Sequence, residues 1–307
     1  MSRATSSDHT QTTTSPTHRW ALVTLAATLL LVAVGGFTRG SGSGYGCADQ
    51  WPLCENGLLG GLLPRAEYHM VIEWSHRWLA ASVGILAIVT AVSAWRRWRH
   101  DRLVAWSAAA AVVVIGIQAW VGRLVVQEQL DADLVSLHLA ISMTVVALLV
   151  VVAVATRTGR AGERDLGWTA LLAAGAIGSF LVLMLGSFVH NLYVPGWPLV
   201  FDTLVPELGS SSVTIHYLHR AFVAVYAVYL GYLVFRVRRA GRPRIERIML
   251  DAAGVLYAVN IGLGAAHVFT RVGSATLVAA HLALASLVWA LTVAATAASA
   301  MVRTTDG

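Results

Sequence analysis

The sequence predicts an all-α polytopic membrane protein, with eight transmembrane helices arranged as two pseudo-symmetric four-helix bundles. Three observations carry this prediction. First, 57% of the 307 residues are hydrophobic and only 12% are charged, and the mean hydropathy is +0.66; a soluble domain carries about 25% charge. Second, eight apolar runs reach or approach the ~20 residues that cross a hydrocarbon core. Third, the two halves of the chain repeat each other.

The spans are expected at 20–37, 71–95, 103–126, 134–156, 166–189, 213–235, 248–269 and 274–302. The first follows Arg19 and could be mistaken for a signal peptide. No small-residue cleavage site follows it, so it reads as a retained helix. The Ser/Thr-rich residues before it, 1–19, are expected to form a disordered tail. The organisation is then an N-terminal half over 20–156, a linker over 157–165, a C-terminal half over 166–302 and a short tail over 303–307.

Arginine placement orients the spans. The 96–102 loop reads RRWRHDR, the next basic loop holds Arg157, Arg160 and Arg164, and 236–247 reads RVRRAGRPRIER. The alternating loops are poorer in arginine: VQEQLDAD near 126–133 is acidic and 190–212 has none. Both termini are therefore expected in the cytoplasm of a cell-membrane protein, with loops 38–70 and 190–212 outside. The net charge of +6 and pI near 9.8 reflect these short basic loops, and a nucleic-acid partner is rejected on that ground.

The repeat locates the candidate site. His76-Arg77 is followed 62 residues later by His138, and His219-Arg220 is followed 62 residues later by His281. The halves are offset by 143 at both histidines. Trp51-Pro52-Leu53 recurs as Trp197-Pro198-Leu199, and Gln118-x3-Gly122 recurs as Asn260-x3-Gly264. Because each unit has four spans, the two copies run the same way through the membrane.

An ionisable residue inside a span costs a few kcal/mol or more and is by default a functional hypothesis. His76, His138, His219 and His281 all lie one or two turns below the outer surface, roughly 5–10 Å at 1.5 Å per residue. Each half thus offers two imidazoles at one depth, the arrangement that a bis-histidine haem iron needs. A packed core histidine is the plain alternative for any one of them, but equal spacing and depth in two pairs argue for ligation. Zinc fits less well, because it wants a closed tetrahedral set. His9, His18 and His100 fall in the tail or a basic loop, His69 and His190 at the outer boundary, and His267 near the outer end of the seventh span.

Arg77 and Arg220 follow ligand candidates. They either snorkel or bind haem propionates bidentately. The halves differ at two places. Glu73, three residues before His76 and so on nearly the same helix face, is matched by His216. It can take a proton or stabilise a developing cation, or simply favour the helix dipole. The first outer loop carries Cys47 and Cys54 in CADQWPLC, either a structural staple or a redox pair, where the second loop has no cysteine.

Taken together, GGFTRGSGSGYGCADQWPLC, EWSHR at 73–77, His138, HYLHR at 216–220 and His281 resemble the haem A synthase family, specifically its bacterial subgroup with a cysteine pair. The resemblance runs from about residue 20 to 300. Departures, such as Gly40 within the Thr-Arg stretch, touch no ligand position. The resemblance implies oxidation of a methyl group of haem O to the formyl group of haem A, through successive hydroxylations and loss of water from a geminal diol. It implies a haem b cofactor on His219 and His281, substrate haem O at His76 and His138, a catalytic Glu73, and a cysteine pair at Cys47 and Cys54. The implied partners are haem O, a haem O synthase (protohaem farnesyltransferase) and the cytochrome oxidase assembly, in membrane lipid.

Two other classes compete. A di-haem, quinol-linked cytochrome b also holds bis-histidine haems, but commonly at two depths, whereas these four histidines lie near one face. A transporter or haem-handling protein built on an inverted repeat is a weaker match, since this repeat is parallel.

Overall fold

The computed structural model describes residues 15–54, 57–157, 165–189 and 193–301. Most of the expected N-terminal tail with His9, the linker arginines Arg160 and Arg164, His190 and the closing tail lie outside the described residues. Every named element is a helix: α1 Pro16–Gly40, α2 Tyr68–Trp98, α3 Arg102–Gln127, α4 Ala132–Ala155, α5 Leu166–Val189, α6 Ser211–Arg239, α7 Arg244–Phe269 and α8 Ala275–Ala300. All eight are long and apolar enough to cross a membrane, and the chain is a multi-pass membrane protein.

α1, α2, α3, α6 and α7 outrun their expected spans, α5 matches its span and α8 falls just inside it; at several starts a side-chain cap sets the end. α1 starts at Pro16, inside the stretch expected as tail: Ser15 accepts a hydrogen bond from the backbone of His18, and proline at the first position is already set for a helix. His18 is thus in the first turn, its ring bonded to the Ala153 carbonyl at 2.8 Å. Asp101, Asp131, Ser210 and Ser274 cap α3, α4, α6 and α8 in the same way. α2 and α6 run on through their terminal arginines, whose charge suits a helix C-terminus.

In the first half each helix packs on the next and α1 closes against α4; in the second half α5 closes against α8. The halves meet where α1 and α4 contact α8 and α4 contacts α5. Val32, Met143, Val146, Leu183, Ala290 and Ala294 are buried between them. On α1, Gly36 and Gly40 bring the backbone against Ala279 and Ala275 of α8, where an added Cβ would meet their Cα atoms at 3.3 and 3.0 Å. Small residues four apart are what lets two membrane helices approach this closely. At the matching α4–α5 contact, Ser187 donates to Ser136 at 2.8 Å.

One end of the molecule carries the two long loops, residues 41–67 and 193–210; the other carries the arginine-rich connections. We call the first the loop end. The even-numbered helices begin there.

Candidate functional site

His76, His138, His219 and His281 lie roughly 9–12 Å along their helices from the loop end, at 1.5 Å per residue. The structure brings them together in the expected pairs: His76 and His138 are close enough to interact electrostatically, as are His219 and His281. Each imidazole sits on a glycine of the preceding helix. A Cβ added at Gly35 would lie 3.1 Å from Cε1 of His76; at Gly122, 3.0 Å from His138; at Gly186, 3.0 Å from His219; and at Gly264, 3.4 Å from His281. The glycines therefore let four imidazoles press onto a neighbouring backbone with no side chain between.

This contact fixes one edge of each ring. Nδ1 of all four histidines is buried without a hydrogen-bond partner of ordinary geometry, although the carbonyls of Val182 and Asn260 act on His219 and His281. Each residue as a whole is only half-buried. The ring is thus seated at Cε1, with Nδ1 buried, while another part of the residue faces accessible space. A metal-ligating imidazole commonly turns its second nitrogen toward a carbonyl, which sets tautomer and ring angle. Buried orphan nitrogens and glycine seats in matching places fit a haem in each half better than they fit packed core histidines. In addition, Gln118 donates to the His138 carbonyl at 2.8 Å and to Ser142 at 2.6 Å, bracing α3 on α4 below the His138 ring.

The arginines that follow His76 and His219 both reach the long loops. Arg77 donates to the carbonyls of Gln50 at 2.7 Å and Pro52 at 3.3 Å. Arg220 donates to those of Val194 at 3.0 Å, Gly196 at 2.5 Å and Leu199 at 3.1 Å. Each thus pins its own Trp-Pro-Leu segment over the end of its bundle.

Glu73 makes the difference between the halves. It is 3% exposed. One carboxylate oxygen pairs with Arg77, and the other accepts from the backbone N–H of Cys47 at 2.7 Å. A buried carboxylate is tolerable when paired and hydrogen-bonded in this way. Cys47 and Cys54 form a disulfide, which packs with Met70 and Trp74 on the first turns of α2. The first half therefore closes with a linked set: disulfide loop, Glu73, Arg77. In the second half His216, buried and only 5% exposed, takes the place of Glu73.

Among the other histidines, His267 packs edge-on against His281 with ring centroids 5.3 Å apart. His69 bonds to Ser43 at 3.0 Å, and His100 is exposed. Among the described residues no three His, Cys, Asp or Glu side chains form a cluster that could hold a metal ion.

Sequence reasoning marked Gly122 and Gly264 only as repeat positions, without a seating role, and missed Gly35 and Gly186, for which a signal was present. Gly35-Gly-Phe-Thr-Arg39 and Gly186-Ser-Phe-Val-His190 are copies of one segment, with the seat at the first position of each.

Known proteins bear on this geometry. The chain is 29% identical over 285 residues to the haem A synthase of Shouchella clausii (strain KSM-K16), across 89% of this chain and 93% of that one. It is 28% identical over 286 residues to the haem A synthase of Listeria monocytogenes serotype 4a (strain HCC23), across 89% and 92%. It is 26% identical over 270 residues to that of Staphylococcus haemolyticus (strain JCSC1435), across 83% and 86%. The model of the COX15-CtaA family, described as cytochrome oxidase assembly protein, matches residues 18–61 and 62–293. The chain belongs to the COX15-CtaA family of cytochrome oxidase assembly proteins.

Proposed function

We propose that this protein is a haem A synthase that oxidises a methyl group of haem O to the formyl group of haem A for terminal oxidases. The observation that carries this reading is the asymmetric pair of sites. Two imidazole pairs sit at one depth on glycine seats, and only the first lies beneath a buried carboxylate and a disulfide loop. His76 and His138 hold substrate haem O in the first half. His219 and His281 hold haem b in the second half; their Nδ1 atoms are buried, which leaves Nε2 as the ligating atom. When bound, haem b supplies one-electron redox chemistry.

Within the first half, Glu73 takes a proton from the reacting group or stabilises positive charge developing on its carbon. Arg77 and the Cys47 N–H hold the carboxylate in place for this. Two successive hydroxylations at the methyl carbon, together a four-electron oxidation, give a geminal diol. Their oxygen comes from water with four electrons and four protons passed to an external acceptor, or from dioxygen with an external reductant. Loss of water then leaves the aldehyde. Arg77 and Arg220 contact propionates only through donors that their loops leave over, since a guanidinium has five. A protohaem farnesyltransferase is the expected source of haem O. The arginine-rich end, and with it both termini, faces the cytoplasm of the cell membrane.

Coexpression with a haem O source, followed by chromatography of extracted haems, tests the proposal. Haem A, or haem O alongside haem B, is expected. Haem B alone would favour a di-haem electron-transfer protein instead.

A further inference from the structure

We propose that Arg39, at the loop end of α1, is the carboxylate anchor for the tetrapyrrole bound in the first half. The proposal rests on the reading that His76 and His138 bind a haem.

Arg39 is half-buried in the last turn of α1. It makes no hydrogen bond, ion pair or ring contact among the described residues. The other arginines of this end are all accounted for. Arg77 and Arg220 are spent on the loops, Arg123 lies over Trp120, and Arg65 and Arg271 are exposed. A half-buried guanidinium without a counter-charge is costly in or near a bilayer, and planar bidentate pairing with a carboxylate is the partner it fits best.

Its position says which carboxylate. Residues 35 and 39 are four apart and share a helix face. Gly35 touches the His76 ring, whereas Gly36 and Gly40 turn to α8. Arg39 therefore lies on the face of α1 that meets the first-half site, one turn nearer the loop end. Helical side chains tilt toward the helix N-terminus, so Arg39 reaches back toward the His76 level. Arg77 cannot serve equally well, because both Nη1 donors and one Nη2 donor go to Gln50, Pro52 and Glu73. The matching position of the second half is histidine in the sequence, His190, so a permanent cation is present here only in the first half. A guanidinium kept merely for the helix dipole would be indifferent to the esterification state of a bound porphyrin.

That difference supplies the test. The full-length protein, purified with its second-half haem, is titrated with haemin and with haemin dimethyl ester while the Soret band is followed. Wild type should bind the free acid roughly tenfold more tightly than the diester. Arg39→Gln should lose that preference while leaving diester affinity unchanged, and Arg39→Lys should restore part of it. An unchanged second-half spectrum shows that each variant is folded. Full free-acid preference in Arg39→Gln, with binding abolished by His76→Ala, would overturn the anchor and leave the site standing. Unchanged binding in His76→Ala would overturn the site and this proposal with it.

Discussion

The two halves share a scaffold and differ in what closes it. Both seat two imidazoles on glycines, and both use an arginine after the first histidine to grip a Trp-Pro-Leu loop. In the second half that grip involves no buried carboxylate: a guanidinium donates to three carbonyls, with the exposed Asp202 near enough to interact electrostatically. In the first half the same arginine also pairs with a buried carboxylate, which holds the backbone of a disulfide loop. In the proposed function, the added carboxylate and disulfide mark one of the two repeated frames for chemistry. A site that only passes electrons needs rigid ligands in an apolar surround. A site that breaks C–H bonds also needs a group to manage protons or charge.

Replacing Glu73 tests this contrast most severely. Glu73→Ala should lower haem A formation by about a hundredfold or more, the usual range for a lost acid–base group, or leave it stalled at a partly oxidised haem. The b-type absorption should persist. Full haem A output from that variant would remove the proposed chemical distinction between the halves.

The two arginines give a smaller, graded effect. Arg77→Ala strands a buried carboxylate, which costs about 3–5 kcal/mol. Arg220→Ala strands carbonyls and an exposed carboxylate, Asp202, but no buried charge, at about 1–3 kcal/mol. Thermal unfolding in detergent should therefore show a larger drop for Arg77→Ala. Equal drops would mean that Glu73 is not the distinguishing load on the first loop.

The glycine seats give the smallest effect, and they compare positions within one half. A Cβ at Gly186 falls 3.0 Å from His219, whereas one at Gly264 falls 3.4 Å from His281. Gly186→Ala must push a ring aside, with overpacking costs of about 1–3 kcal/mol; Gly264→Ala meets ordinary contact. The b-type spectrum should shift or weaken in the first variant and stay near wild type in the second. The reverse order would show that the seats do not set the imidazoles.

Much of this was legible in the sequence. Hydropathy located eight spans, and the 62-residue spacing paired the histidines, because depth along a helix follows directly from residue number. Contacts across helices were not legible in that way. Arg77 and Arg220 were read either as snorkelling or as propionate partners, and their bonds to loop carbonyls were not foreseen. That outcome depends on how residues 46–54 and 194–199 fold back, which no spacing rule gives. The glycine seats were hidden among 27 glycines, a residue common in membrane helices for several reasons. The start of α1 at Pro16 was missed because a cap, Ser15, outweighs the polar look of its first turn.

The central claim is the division of labour between the halves, and paired optical spectra test it most directly. His219→Ala should abolish the b-type absorption of the purified protein, and His76→Ala should leave that absorption intact while haem A formation is lost. Survival of the signal in His219→Ala, or its loss in His76→Ala alone, would contradict the assignment.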